Sequence, residues 1–108
     1  MQDLIEKLVA ATNAFDVQTT LALFAAETSI DDISVGRKFQ GAAGVQTYIE
    51  HFFVGYHTVT KIESIELLGE RRAIAHLDFT GDFGHETGFL DIKTDRTGLI
   101  TRIKADLN

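Results

Sequence analysis

The sequence predicts an α+β domain in which helices come first and antiparallel strands follow. Two patterns indicate this: apolar residues recur at helical spacing in the first half, and alternating apolar and polar residues dominate the second half. The predicted order of elements is α-α-β-α-β-β-β-β, which is typical of an α+β domain and not of a doubly wound sheet. The 108 residues are expected to form a single domain with one core.

The chain is expected to begin with two helices joined by a tight turn. Apolar residues at helical spacing predict the first helix over residues 3–14 and the second over residues 16–27. Asp16 is expected to cap the second helix, because its carboxylate can accept hydrogen bonds from the free amides of the first turn.

One strand and a third helix come next in the prediction. Residues 28–35 are rich in β-branched side chains and alternate roughly, so they predict a strand, and residues 36–38 are expected to form a turn. Residues 42–55 again show helical spacing, with apolar positions at Val45, Tyr48, Ile49, Phe52 and Phe53.

Four strands are predicted in the remainder, over residues 58–68, 72–81, 86–93 and 99–107. Gly81, Gly84 and Gly88 indicate a loop, bulge or strong bend between the second and third of them. Asp95–Gly98 is expected to form a hairpin turn, since glycine tolerates a positive φ. The economical arrangement is one strongly curved sheet that wraps the helices.

Composition and charge exclude several classes of function. The net charge is −6 and no dense run of lysine or arginine occurs, so a nucleic-acid partner is not expected. No apolar run approaches the roughly 18 residues of a membrane span, and no membrane partner is expected. The chain has no cysteine and an acidic amphipathic start, which together favour a cytoplasmic location.

The stretch AIAHLDFTG, residues 73–81, raises the main functional question. In a strand, His76 and Asp78 point to one face, while Leu77 and Phe79 point to the other. The polar face is either wetted by solvent, with Leu77 and Phe79 in the core, or lines a pocket. In a third arrangement, Leu77 and Phe79 face a partner molecule, while His76 and Asp78 line the pocket.

Three segments carry a resemblance to a known family: FDVQTTLALFAAETSIDDISVG, FQGAAGVQTYIEHFF and DRTGLITRIKADL. Together they resemble the nuclear transport factor 2-like superfamily, most closely its SnoaL-like and ketosteroid isomerase-like branch. The resemblance covers essentially the whole chain. It implies a cone in which a bent sheet wraps three helices, with a pocket at the open end. It also implies a homodimer formed through the outer sheet face. Members include isomerases, cyclases, dehydratases, epoxide hydrolases and non-catalytic binders.

The resemblance to ketosteroid isomerases carries over at only one of three catalytic positions. Asp32, in Ser-Ile-Asp-Asp, matches the proton-shuttling base. Leu8 stands where those enzymes have an oxyanion-stabilising tyrosine, and Leu90 stands near their second, protonated aspartate. Leucine cannot donate a hydrogen bond, so steroid isomerisation is not expected.

The resemblance to limonene epoxide hydrolase is also incomplete. That enzyme has an Arg-x-Asp pattern on a central strand, which His76-Leu77-Asp78 matches only in part. Its late aspartate falls near Ala105. The more variable use of pocket histidine and aspartate in SnoaL-like cyclases is the pattern that this sequence can satisfy.

Asp32, His76 and Asp78 are the candidate catalytic residues. Asp32 would act as the base, His76 as the acid or polarising group, and Asp78 would orient His76. Adjacent residues of a strand point to opposite faces, so only one of Asp31 and Asp32 can enter the pocket. The alternatives are that Asp31 is the inward residue or that both acids lie on the surface.

Tyr48, Phe52, Phe39 and His57 are the candidate ligand-binding residues. Aromatic residues at helical spacing are also typical of an ordinary core, and His57 has a structural alternative. A metal site from His76, Asp78 and His85 lacks any recognised ligand spacing, so no metal is expected.

The combined prediction is a protein that binds a small apolar organic molecule. It would act without a cofactor, by proton transfer in an isomerisation, cyclisation or dehydration. The alternative is a non-catalytic ligand-binding or dimerisation module of the same fold.

Overall fold

The computed structural model describes every residue from Met1 to Asn108. Its helices are α1 (Gln2–Asn13), α2 (Val17–Leu21) and α3 (Gly41–Ile49), and α3 continues into a π-helical turn over Glu50–Val54. The strands are β1 (Phe24–Asp32), β2 (Arg37–Gln40), β3 (Val59–Gly69), β4 (Arg72–Gly81), β5 (Gly84–Thr94) and β6 (Ile100–Leu107). The α+β class is therefore confirmed.

All six strands belong to one sheet with the order β2-β1-β6-β5-β4-β3. β3 to β6 form a consecutive antiparallel meander, as the sequence predicts. β1 runs parallel to β6 and antiparallel to β2. The early hairpin thus extends the edge of the meander, and the end of β1 comes to lie beside the end of β6.

β2 was missing from the sequence prediction. Residues 36–38 were expected to form a turn, but only Gly36 lies in the turn, and Arg37 begins a strand that pairs with Asp32. Two exposed basic side chains at the start of this edge strand resemble turn residues in the sequence, and Phe39 is its one buried residue. The observed order is α-α-β-β-α-β-β-β-β.

The second helix is much shorter than the predicted range of 16–27. It ends at Leu21, and Phe24 already pairs with Ile100 of β6. The helical preference of Ala25 and Ala26 is overridden because both lie in β1, which pairs with β2 and β6 in the sheet. Asp16 caps α2 as expected, since its carboxylate accepts from the Thr19 amide at 3.1 Å.

The turn between β5 and β6 follows the predicted chemistry. Asp95 accepts from the amides of Thr97 and Leu99, at 2.9 and 3.1 Å. Gly98 has φ +89°, in the region that favours glycine. These local contacts set the register in which Ile92 of β5 lies opposite Ile103 of β6.

The core lies between one face of the sheet and the helices α1 and α3. β4 contributes Ala73, Ala75 and Leu77 to it, all essentially without solvent exposure. α1 packs against β3, and α3 packs against β1 and β2. The sheet therefore has an inner face toward the helices and an outer face away from them. No helix of the chain is long and apolar enough to cross a membrane.

Candidate active site

A cavity of about 220 Å³ opens at the end of the sheet where β1, β4, β5 and β6 approach the π-helical turn. Eleven of its 16 lining residues are hydrophobic. The cavity is lined by Asp32, Ser34, Val35, Tyr48, Phe52, Phe53, Tyr56, Thr58, Phe79, Phe83, Glu86, Phe89, Leu90, Ala105, Asp106 and Leu107. An apolar concave site with a few polar groups is the usual form of a small-molecule pocket.

The π-helical turn shapes one wall of this cavity. The turn directly follows α3 and carries Phe52 and Phe53, which both line the cavity. Such single turns commonly occur at functional sites because they change which side chains of a helix share a face. Here the turn allows Tyr48, Phe52 and Phe53 to approach one cavity from a single helical segment.

Asp32 is the buried carboxylate of the cavity wall. It is the last residue of β1 and is only 6% exposed. Its Oδ2 accepts a hydrogen bond from the Tyr48 hydroxyl at 2.6 Å. Its Oδ1 accepts from the Ser34 amide at 3.0 Å and from the Ser34 hydroxyl. Asp32 lines the cavity and Asp31 does not, so Asp32 is the acid that faces inward.

Tyr48 is held in the form that donates to Asp32. Burial raises the pKa of Tyr48 well above its usual value of 10.0, and the negative charge of Asp32 and the hydrogen bond to it raise this pKa further. The Tyr48 ring packs 5.0 Å from both Phe39 and Phe52, measured between ring centroids. Tyr48 thus stays protonated and positioned, and the Asp32 carboxylate keeps the role of acceptor.

A second, smaller cavity of about 20 Å³ lies deeper in the core. It shares Tyr48, Phe53 and Leu90 with the larger cavity. Leu8 and Leu90, which stand at the two positions where the resemblance implies hydrogen-bond donors, both line this inner chamber. The interior end of the site is therefore apolar and can stabilise no developing oxyanion at those two positions.

Structural comparison decides the fold to which this arrangement belongs. A candidate ketosteroid isomerase from Kribbella flavida superposes with a TM-score of 0.85 and 14% identity, over 98% of this chain and 76% of that chain. A candidate polyketide cyclase from Sinorhizobium meliloti gives 0.86 and 16%, over 95% and 93%. A Mycobacterium tuberculosis protein in complex with estradiol-17β-hemisuccinate gives 0.85 and 17%, over 96% and 90%. The chain has the nuclear transport factor 2-like fold.

At these identities the similarity establishes the fold alone. No family model matches the sequence, and no curated protein matches it. The site of this chain must therefore be judged from its own residues.

The structure corrects the expectation that His76 and Asp78 line the pocket. His76 Nε2 lies 2.5 Å from Glu66 Oε1, and Asp78 Oδ2 lies 2.6 Å from His85 Nε2. These contacts are on the outer face of the sheet, because the alternate residues of β4 are buried against the helices. Neither residue lines the cavity, and they do not form a pair.

The structure brings together only part of the predicted ligand-binding set. Tyr48 and Phe52 line the cavity. Phe39 is buried behind them, with the Arg37 guanidinium 4.5 Å over its ring, and it supports the wall without lining it. His57 has a side chain that is 70% exposed and pairs with Asp82 at 2.8 Å, so its placement in the pocket is also corrected.

Several lining residues were not predicted. The sequence places Phe79 on the apolar face of β4. That Phe79 lines the cavity could not be predicted, because it depends on where the helices end along this face. Glu86 lies opposite Phe79 in the register of β5, so it shares the inner face. The sequence held one usable signal for Ser34, because a serine two residues after an aspartate commonly returns a hydrogen bond to its carboxylate.

Proposed function

We propose that this protein binds a small, largely apolar organic molecule in the 220 Å³ cavity and transfers a proton through Asp32. The observation that carries the proposal is the hydrogen bond of 2.6 Å between the Tyr48 hydroxyl and the Asp32 carboxylate at the cavity wall. A buried carboxylate with fixed donors and an apolar pocket is suited to removing a proton from a bound ligand.

In this mechanism Asp32 accepts a proton from a carbon or hydroxyl group of the ligand and returns it to a second position. Tyr48 and Ser34 hold the carboxylate in place and disperse its charge before the proton arrives. Isomerisation, cyclisation and dehydration each need one such shuttle. His76 and Asp78 take no part in this scheme, since both lie on the outer face of the sheet.

A non-catalytic binding protein is the second candidate function. The observation that favours it is the apolar inner chamber, where Leu8 and Leu90 offer no donor to a developing oxyanion. A binder would use the same cavity and the same polar contacts at Asp32. The two candidates therefore differ in turnover and not in the place of binding.

Hydrogen–deuterium exchange on a bound ketone separates the two candidates. The probe is 2-tetralone, a two-ring ketone with exchangeable hydrogens beside its carbonyl, followed by NMR in D₂O. Proton transfer predicts exchange above the buffer rate, which is lost in Asp32→Asn and kept in Asp31→Asn. Binding of 2-tetralone without accelerated exchange would favour the non-catalytic candidate, and absence of binding would contradict both.

We also propose that two copies of the chain associate through the outer sheet face. Half-buried Ile74 of β4 lies on that face, beside Asp91 of β5 in the strand register. Sedimentation equilibrium should show a dimer that Ile74→Glu weakens, because a charge would be buried in the interface. A monomeric wild-type protein at micromolar concentration would contradict this.

For the location we propose the cytoplasm, since the chain has no cysteine that an oxidising compartment could use for disulfides. Fractionation of cells that make the protein at its natural level would test this. Recovery in a secreted or periplasmic fraction would contradict it.

A further inference from the structure

The charged side chains that line the cavity are of one sign. Its lining includes the carboxylates of Asp32 and Glu86 on the inner face, and it contains no lysine, arginine or histidine. Neither of these two carboxylates takes part in an ion pair of the structure, and the ion pairs that do form lie on the outer face and in loops. The two carboxylates thus form no ion pair, and the Arg37 guanidinium, opposite Asp32 in the strand register, lies over the Phe39 ring instead.

Asp32 keeps the capacity to accept a further hydrogen bond. An ionised carboxylate offers about four acceptor positions. Ser34 occupies two positions on Oδ1, and Tyr48 occupies one on Oδ2. All three donors are uncharged, so they satisfy the hydrogen bonds without cancelling the charge. A ligand that brings both a donor and a positive charge would complete the site.

Aromatic rings supply an independent preference for a cation. The Tyr56 ring contacts the rings of both Phe52 and Phe83 at the cavity, and its centroid lies 6.0 Å from each of their centroids. Tyr48 lies 5.0 Å from Phe52 in the same wall. The faces of such rings attract organic cations, and clustered aromatic residues are a known way to bind ammonium groups. Neutral ligands would gain the apolar contact but not this electrostatic term.

We propose that the natural ligand is an organic cation, namely an amine carried on an apolar body of one or two rings. This inference rests on the binding part of the proposed function and narrows its ligand class; because the ammonium group would take the remaining acceptor position of Asp32, it favours the second, non-catalytic candidate. The size follows from the cavity of about 220 Å³, since an apolar cavity of roughly 150 Å³ accommodates benzene. The ammonium group is expected at Asp32, and the rings against the aromatic wall.

The same charge distribution selects against anions. A carboxylate ligand would meet Asp32 and Glu86 without a basic partner in the cavity. The net charge of −6 extends this repulsion beyond the pocket and favours the approach of cations. Selectivity by charge is therefore a stronger expectation for this cavity than selectivity by ring structure.

The test is isothermal titration calorimetry with three ligands that share one apolar body: 1-naphthylmethylamine, 1-naphthylmethanol and 1-naphthylacetic acid. At neutral pH the amine should bind at least about tenfold more tightly than the alcohol, the difference expected from a desolvated cation–π contact and one charge-assisted hydrogen bond. The acid should bind most weakly. Equal or tighter binding of the alcohol overturns this inference and leaves the binding function intact, whereas no binding of any ligand contradicts the binding function itself.

Variants locate the origin of the preference. Asp32→Asn should bring the amine and the alcohol to similar affinities, whereas Asp31→Asn removes the same charge from the neighbouring residue and should keep the preference. If Asp32→Asn does not fold, Glu86→Gln and Tyr56→Leu near the exposed mouth should each reduce the affinity for the amine more than that for the alcohol. An unchanged ratio in all of the folded cavity variants would overturn the proposal.

Discussion

Asp32 and Asp91 are both buried, and they lie on opposite faces of the same sheet. Asp32 is 6% exposed on the inner face, and Asp91 is 7% exposed on the outer face. Asp91 accepts from Arg72 at 3.0 and 2.8 Å, and Arg102 approaches it at 3.6 Å. Asp32 has only hydroxyl and amide donors. One buried charge is neutralised within the protein, and the other is left available to a ligand.

This difference separates a structural role from a functional one. The bidentate hydrogen bond from Arg72, more than the nearby charges, holds the pKa of Asp91 below its usual value. Arg72 and Arg102 also tie β4 and β6 to β5 across the outer face. Asp32 ties β1 to α3 through a neutral tyrosine, at the rim of an open cavity.

The largest expected effect is on proton transfer. Asp32→Asn should lower the exchange rate of 2-tetralone by about 10²–10⁴-fold, the usual contribution of a positioned base. Asp91→Asn should leave the rate per folded molecule unchanged, because Asp91 faces away from the cavity. The measurement is exchange by NMR, normalised to the folded fraction from circular dichroism. Equal losses in the two variants would contradict the functional distinction between the two aspartates.

The second prediction concerns stability. Asp91→Ala should lower the free energy of unfolding by about 1–3 kcal/mol, since it removes hydrogen bonds from a charged donor and leaves Arg72 unpaired. The loss should stay below that of a fully buried pair because the Arg72 side chain is half exposed and hydrated. Urea unfolding measures it, with Asp106→Ala as an unpaired control. A change below about 0.5 kcal/mol, the range of ordinary surface substitutions, would contradict this role.

The sequence predicted a large part of this architecture. Asp32 was identified because the Ser-Ile-Asp-Asp segment resembles the base segment of ketosteroid isomerases, and Tyr48 because apolar residues recur at helical spacing over residues 42–55. His76 and Asp78 were misplaced because alternation divides β4 into two faces without showing which one the helices cover. Phe39 was predicted as a pocket residue because lining and supporting positions share the same apolar character, and only packing distinguishes them.

Tyr48→Phe should have a smaller effect on exchange than Asp32→Asn and a smaller effect on stability than Asp91→Ala. It removes one neutral donor from Asp32 while Ser34 remains, so we expect a loss of about 0.5–1.5 kcal/mol in the free energy of unfolding. Its 2-tetralone exchange should be lower than that of the wild type but above that of Asp32→Asn, since the base itself remains. Thermal unfolding and NMR exchange measure the two quantities. Exchange as low as in Asp32→Asn would assign Tyr48 a more direct part in the reaction.

Acid should weaken the outer-face interaction in a defined pH range. The pKa of Asp91 is lowered in the folded protein, so its contribution to stability is present above the usual value of 3.8. That contribution is lost as the pH falls from this value through the lowered folded value. Urea midpoints measured from pH 6 to pH 2 should fall less steeply for Asp91→Asn than for the wild type. Parallel curves of urea midpoint against pH for the two proteins would contradict this role of the Asp91 carboxylate in stability.

The smallest effect is expected at the exposed pair between His85 and Asp78. The hydrogen bond from His85 to Asp78, followed by the charge of Asp78, raises the pKa of His85 above 6.5. The pair therefore contributes most below this value, and its contribution is lost as the pH rises through the raised value. NMR titration should show this pKa fall in Asp78→Asn and stay unchanged in Asp82→Asn, which alters the partner of His57. An unchanged pKa in Asp78→Asn would contradict the contact.

The most direct test of the central claim is an NMR titration that distinguishes the two faces of the sheet. Protein labelled in its aromatic rings and isoleucine methyl groups is titrated with 1-naphthylmethylamine. Binding at the cavity predicts saturable shifts of the Tyr48 and Phe52 rings, while the Ile74 methyl group on the outer face stays unchanged. Shifts at Ile74, with the signals of Tyr48 and Phe52 unmoved, would contradict the claim that the Asp32 cavity is the binding site.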